Sequence, residues 1–261
     1  MTATLTVLGS GTSMGVPTIG CQCPVCRSAD ARDKRTRPSV MLQFTDAAGA
    51  ARTIIIDTTP DFRFQAMRED IRRVDAILYT HAHADHILGL DDIRAYNFHQ
   101  QAHIPIYANR QAIETIRQTF HYIFAPGGAV SAIPKIDVHE ITGPIELFGV
   151  TFTPIPVMHG PLEVLGFRFG SAAYLTDFNH IPEASLKMLE NLDILFLDAL
   201  RDDPHPTHCT VADALVYVKR LRPRAAYFTH ICHDLGHVAT NAKLPAGVLL
   251  SHDGLQLEVQ V

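Results

Sequence analysis

The chain has 261 residues, of which 47% are hydrophobic and 19% charged; this excludes a disordered chain and leaves material for a large core. A net charge of −5 gives no whole-molecule attraction for nucleic acid, and no apolar run approaches the roughly 18 residues of a membrane span. Fifteen His stand against 22 Lys and Arg combined, an excess that requires a chemical cause.

The opening, MTATLTVLGSGTSMG, has neither a basic segment nor a long apolar one, so a cytoplasmic protein is expected. A first strand is predicted over Thr4–Leu8. The following Ser10-Gly11-Thr12-Ser13-Met14-Gly15 can line a pocket with backbone N–H groups or form a plain turn, since it lacks the Lys of a P-loop. Cys21, Cys23 and Cys26 then share one tight loop within an insertion over about residues 17–38. Ring strain disfavours a disulfide between such near neighbours, whereas zinc accepts the spacing. A fourth ligand must come from elsewhere, and Cys232 and His233 are the candidates. The run Arg27 to Arg37, with five basic residues and two Asp, reads as a solvated insertion or as an attractor of anionic substrate.

Strands are predicted next over Val40–Phe44, Thr53–Ile56 and Ala76–Tyr79. The last leads into His81-Ala-His83-Ala-Asp85-His86, four metal-binding side chains within six residues. Adjacent side chains diverge, so one cation cannot take them all. Two can: His81 and His83 on one, Asp85 and His86 on the other. Asn109 caps a helix carrying Ile113, Ile116 and Phe120. The strand-like Thr151–Val157 reaches His159 in a turn, and strands follow over Gly166–Phe169, Ala172–Leu175 and Ile194–Leu197. Pro182 suits the first turn of a helix whose Leu186 and Leu189 face inward. Thr210 and Asp213 form a capping box ahead of a stripe of Val211, Ala214, Leu215, Val218 and Leu221. Ala225–Phe228 and Leu255–Val259 complete the predicted strands.

Three of the apolar runs end in Thr and then a ligand-type residue: AILYT-His81, AAYLT-Asp177 and AYFT-His230. Two more end in a carboxylate, IIID at Asp57 and ILFLD at Asp198. A continuous apolar run is what a strand buried on both faces looks like. Five such strands would deliver His and Asp to one sheet edge, the usual location of a site.

The HxHxDH pattern after a buried strand resembles the signature of the metallo-β-lactamase fold superfamily, and Asp57, His159, Asp177 and His230 follow in that superfamily's order. The resemblance covers essentially the whole chain and implies an α/β fold, a four-layer αββα sandwich, with a dinuclear site at one edge. It implies that His81, His83 and His159 hold the first metal, that Asp85, His86 and His230 hold the second, and that Asp177 bridges them. Asp57 would brace the site by accepting a ligand's second N–H. The Cys pattern and the stretch Thr229-His230-Ile231-Cys232-His233 resemble the cyclic phosphodiesterase family of the carbon–phosphorus lyase pathway. That implies a structural zinc on Cys21, Cys23, Cys26 and His233. The same family has an active-site His where His208 stands, just before the Thr210 helix, which makes His208 the candidate acid for the leaving group; His205 is a second candidate, and Asp85 completes the catalytic pair.

Two divalent ions about 4 Å apart share a hydroxide nucleophile and clamp substrate oxygens. Two cations against Asp85, Asp177 and that hydroxide leave a net of about +1, which favours an anion such as a phosphodiester. The oxygen-rich second position admits manganese as well as zinc. The expected activity is therefore a metal-dependent phosphodiesterase, cleaving a small or cyclic phosphodiester, with no membrane or nucleic-acid partner and a homodimer left open. The alternative is a tRNA 3′-processing endoribonuclease or a thioester or lactone hydrolase of the same fold; no long basic insertion of the tRNA-gripping kind is present. A binding or scaffold protein on this fold would have lost a ligand, and none is missing. Asp91–His103 and Phe120–Pro134 depart from the phosphodiesterase pattern and are expected to shape the pocket; Arg94 reaches either a phosphate or Asp91.

Overall fold

The computed structural model describes residues 1–125 and 132–261. Its first six strands are β1 (Thr2–Gly9), β2 (Ser39–Thr45), β3 (Ala51–Ile56), β4 (Ala76–Leu78), β5 (Ile104–Ala108) and β6 (Ile136–Glu140). The next seven are β7 (Ile145–Leu147), β8 (Val150–His159), β9 (Leu162–Phe169), β10 (Ala172–Tyr174), β11 (Ile194–Asp198), β12 (Ala225–Thr229) and β13 (Val248–Leu250). The last strand, β14 (Gln256–Gln260), returns to the first group. Two mixed sheets result, in the orders β14-β1-β2-β3-β4-β5-β6 and β13-β12-β11-β10-β9-β8-β7. The strands from β3 to β6 pair in parallel, as do those from β10 to β13, so their C-terminal ends lie together at each sheet's edge.

Side-chain alternation explains the layering. In β3, Ile54 and Ile56 enter the core between the sheets, while Ile55 faces the helices on the outer side. In β11, Phe196 faces the opposite sheet and Leu195 and Leu197 face outward into apolar company. Strands buried on both faces therefore carry unbroken apolar runs. The outer face of the first sheet is covered by α1 (Phe62–Arg68), α2 (Ala84–Ile87), α3 (Arg94–Gln100), α4 (Arg110–Thr119) and α5 (His121–Phe124), through Phe62, Ile87, Tyr96, Ile116 and Phe124. On the second sheet α6 (Glu183–Met188) and α7 (Val211–Leu221) bury Leu186, Val211 and Ala214, and α8 (His237–Asn241) lies against β13. Three apolar interfaces thus join four layers, the αββα sandwich expected. No helix among the described residues is long and apolar enough to cross a membrane.

The capping box at Thr210 and Asp213 and the Asn109 cap form as their sequences dictate. Pro182 stands at the N-cap, one residue before α6 begins. β5, β6 and β13 escape sequence detection because Pro105 interrupts the first, the second is largely exposed, and the third is three residues long. Residues 126–131 of the Phe120–Pro134 segment lie outside the described residues.

Candidate metal centres

The strand ends converge as the apolar runs predict. β4 leads through Tyr79 and Thr80 to His81, β8 ends on His159, β10 leads to Asp177, and β12 leads to His230. Four-residue α2 turns Asp85 and His86 inward. Asp57, Asp177 and His230 each have left-handed backbone, with φ of 66°, 52° and 57°. Non-glycine residues rarely hold that conformation, and when they do the strain clusters at functional sites.

The donor atoms fall into two groups, His81, His83 and His159 beside Asp85, His86, Asp177 and His230, with all atoms of each group within 4.8 Å of one another. Asp177 also groups with His159 and His208, so its carboxylate spans the space between the sets. His86 Nε2 lies 3.2 Å from Asp177 Oδ1 and 3.3 Å from Asp85 Oδ2; His230 Nε2 lies 3.2 Å from Asp177 Oδ2. A tetrahedron with ligands at about 2.0–2.1 Å has edges of about 3.3 Å, so these spacings suit a shared cation. The atoms aim at common points rather than at each other: His81 Nε2, Asp85 Oδ2, and His86 and His230 Nε2 are buried without hydrogen-bond partners. Buried polar atoms without partners are costly, and divalent ions in this space would satisfy them. Six of these ligand residues are buried, whereas His83 is exposed and marks the open side.

Two of the remaining nitrogens, on His86 and His159, are fixed from behind. His86 Nδ1 donates to Asp57 Oδ2 at 2.8 Å, and the N–H and hydroxyl of Thr80 donate to the two Asp57 oxygens, each at 2.8 Å. His159 Nδ1 donates to the Thr207 carbonyl at 2.9 Å. Both contacts set the tautomer that turns Nε2 inward. Burial pushes His81 well below its ordinary value, keeping it neutral. Burial opposes charge on His230 too, but the Asp177 carboxylate outweighs it and raises that imidazole to about 10. Protons and cations therefore compete for this edge.

His208 stands at the same edge, half-buried, with its ring stacked on His230 at 4.5 Å between centroids. Its Nδ1 donates to Asp198 Oδ2 at 2.6 Å, and the Phe178 N–H donates to the same oxygen. Asp198 is fully buried and orients His208. Nothing in the sequence assigned that carboxylate a partner, although its place at the end of the β11 run was the available signal.

The second centre is sulfur-rich. His233 Nδ1 lies 3.1, 3.6 and 3.5 Å from the sulfurs of Cys21, Cys23 and Cys26. A zinc tetrahedron with sulfur at about 2.3 Å and nitrogen at 2.0–2.1 Å has edges of about 3.5–3.8 Å, so the four residues fit that ion. Between Cys232 and His233 the geometry favours His233, because the Cys232 thiol turns away and donates to Asp234 at 2.9 Å. The backbone N–H of Cys26 pulls the Cys23 thiol down to about 7, favouring the thiolate that a metal requires.

The basic run is engaged in structure. Arg32 pairs with Asp30, Arg37 with Asp61, and the fully buried Arg35 with Asp33 at 2.9 Å. Arg35 also donates to the Cys232 and Leu235 carbonyls at 2.9 and 2.6 Å, tying the Cys insertion to the loop that carries His230 and His233. Sequence reading missed this role, since one Arg in a charged run carries no mark of burial. Arg94 pairs with Asp91 at 2.8 Å. In the Ser10–Gly15 loop the N–H groups of Gly11 and Thr12 donate to the Thr36 and Ile231 carbonyls and that of Gly15 to Thr12, while Thr12, Ser13 and Met14 border a cavity.

Two cavities flank the His and Asp cluster. One, about 170 Å³, adjoins His81 and His83 and includes Asn109, Gln111 and Glu163. The other, about 260 Å³, adjoins His208 and includes Thr12, Ser13, Arg201 and His205. A further cavity, about 680 Å³ between α1 and α3, contains none of the clustered residues.

Residues 52–231 match the family described as the Beta-lactamase superfamily domain, and the chain belongs to that superfamily, in its metallo-β-lactamase α/β-sandwich form. Enzymes of this fold bind divalent metals such as zinc. Within the superfamily, a diphosphatase from the PhnP family has a crystal structure with a TM-score of 0.91 and 54% identity, covering 99% of this chain and 98% of that one; the chain belongs to the PhnP family and is a hydrolase. An octanoyltransferase of Porphyromonas gingivalis is 36% identical over 254 residues, 96% of this chain and 50% of that protein. The chain spans about half the length of the curated relatives it matches. Zinc-bound PqqB of Methylobacterium extorquens shares the fold at a TM-score of 0.75 and 17% identity, over 97% of this chain and 99% of that one.

Proposed function

We propose that the protein is a dinuclear metal-dependent hydrolase of small phosphodiesters. One observation carries this reading: seven His and Asp donors converge from separate strand ends beside an oriented imidazole, His208. His81, His83 and His159 would hold one ion, Asp85, His86 and His230 the other, with Asp177 between them, and Cys21, Cys23, Cys26 and His233 would hold a structural zinc. When bound, two divalent ions supply an activated water and Lewis acidity toward phosphoryl oxygens; zinc and manganese both suit the donors. Asp57 and Thr80 hold His86, and the Thr207 carbonyl holds His159. Asp198 fixes the proton of His208 on Nδ1 when the ring is neutral; protonation at Nε2 makes it the acid for a leaving oxygen.

In a diphosphate that joins two esters each phosphorus carries one ester oxygen, one anhydride oxygen and a single negative charge, so cleaving it differs from cleaving a phosphodiester in the leaving group, and the 54%-identical relative is a diphosphatase. The octanoyltransferase name belongs to a protein twice as long as the matched region, so it does not say which half carries the acyl transfer. Hydrolysis of bis(p-nitrophenyl) phosphate with Mn²⁺ or Zn²⁺, abolished by Asp85→Ala, is the expected result. A fully metallated protein inert to a panel of cyclic ribose phosphates, cyclic nucleotides and diphosphates would overturn the reading.

A further inference from the structure

We infer that Asp253, in the turn between β13 and β14, is the positioning residue for His230 and acts on it through the backbone of Ser10, Gly11 and Thr12. The inference rests on the dinuclear reading above and names the group that aims one of its ligands. His230 lacks the support given to two of its fellow ligands. His86 Nδ1 is held by Asp57 and His159 Nδ1 by the Thr207 carbonyl, whereas His230 Nδ1 is buried with no hydrogen-bond partner among the described residues. Its backbone is left-handed, at φ 57°, a conformation that persists only where the surroundings over-determine it. Beyond its stacking on His208, the direction of its Nε2 is therefore set by the chain on either side of it.

That chain is held from two directions. On one side the Ala199 N–H donates to the Thr229 carbonyl at 3.1 Å, and the Cys232 N–H donates to the Leu200 carbonyl at 3.0 Å. On the other, the Ile231 N–H donates to the Ser10 carbonyl at 3.0 Å and the Thr12 N–H donates to the Ile231 carbonyl at 3.2 Å, a parallel bridge between Gly11 and Ile231. The far flank of Gly11 donates to the Thr36 carbonyl at 2.8 Å, so close that a Cβ at position 11 would stand 3.0 Å from that oxygen. The segment is thus sandwiched between Ile231 and Thr36, and Asp253 locks the sandwich. Its Oδ1 accepts from the Ser10 N–H and hydroxyl at 2.9 and 2.8 Å. Its Oδ2 accepts from the Thr36 N–H and hydroxyl at 2.9 and 2.6 Å and from Arg68 Nη1 at 3.1 Å. These donors fill the roughly four lone-pair sites of a carboxylate, and an amide in its place would turn an NH₂ group toward one set of them. Asp253 borders neither cavity beside the site, so its influence on His230 passes through the backbone.

The test measures both steps of Mn²⁺ binding, by titration followed by electron paramagnetic resonance, in the protein with its sulfur-bound zinc. Asp253→Asn should weaken one of the two steps at least about tenfold, the cost of losing support behind a ligand, and leave the other within about threefold. His230→Ala should weaken the same step. Asp253→Asn added to His230→Ala should then change it by less than about threefold, because a residue that acts through His230 has nothing left to act on. Ser10→Ala removes one hydrogen bond of the lock and should weaken that step about threefold; it decides the matter if Asp253→Asn does not fold. Equal weakening of both steps, no weakening of either, or a full additional loss in the His230→Ala background would overturn the role of Asp253 and leave the dinuclear reading standing. A parent protein that binds no pair of Mn²⁺ ions would overturn that reading, and the role of Asp253 with it.

Discussion

The two donor clusters solve opposite problems. The Cys cluster draws three of its four candidate ligands from six consecutive residues and closes with His233, and a zinc held there would have no position for a substrate. The His and Asp cluster gathers ligands spread from position 81 to position 230 and keeps His83 open to solvent. A closed sulfur site contributes folding energy, whereas an open nitrogen–oxygen site retains room for chemistry. They meet in one loop, because His230 and His233 are three residues apart and Arg35 holds the Cys232 and Leu235 carbonyls of that loop. In the proposed function, the Cys site would thus position His230 for the other.

The largest expected effect separates the two sites. Asp177→Ala should abolish hydrolysis, because its carboxylate faces both ion positions, while elemental analysis still finds one zinc per chain; loss of that zinc as well would mean the sites are not independent. Asp57→Asn should weaken active-site metal affinity by about 10–100-fold, the usual cost of removing a ligand's supporting carboxylate, measured by competition with a chelator. An unchanged affinity would show that Thr80 alone suffices. Cys26→Ser should lose the single sulfur-bound zinc and lower Tm by roughly 5–10 °C, at about 2–4 °C per kcal/mol for a chain of this size, with partial loss of activity through His230. Full activity with the zinc absent would break the link between the sites.

The smallest effect concerns pH on the Cys side. Burial holds the pKa of His237 down at about 4 against 6.5 for a free imidazole, and its backbone N–H donates to Asp33 of the buried pair. Between those values the unfolded chain binds a proton that the folded one does not, so stability falls as pH drops through that window. His237→Gln should flatten the dependence of Tm on pH between about 6.5 and 4 relative to the parent. Identical slopes would remove His237 from the account.

What could be read without a structure follows chain separation. His81, His83, Asp85 and His86 and the three Cys are legible because their spacing is local and their partners adjoin them. The layered fold is legible because runs such as Ile54–Ile56 are apolar on every residue, which only a doubly covered strand tolerates. His159 and Asp177 gain meaning only from their order along the chain, since a lone loop His is ordinarily solvated. The Asp198–His208 hydrogen bond spans a turn whose path the sequence does not encode by spacing. Arg35 misleads for a related reason: its neutralising partners are Asp33 and backbone carbonyls, and carbonyls leave no trace in residue identity. The choice between Cys232 and His233 turns on which side chain faces inward at one loop position, a matter of geometry alone.

The left-handed backbone at Asp57, Asp177 and His230 has a consequence for protein engineering. Each costs roughly 1 kcal/mol or more relative to glycine, a sizeable sum in a molecule stable by about 5–15 kcal/mol. A redesign guided by stability alone would be drawn to glycine at these three positions. It would return a tougher protein with its working edge erased, so these residues belong among those frozen before any such optimisation begins.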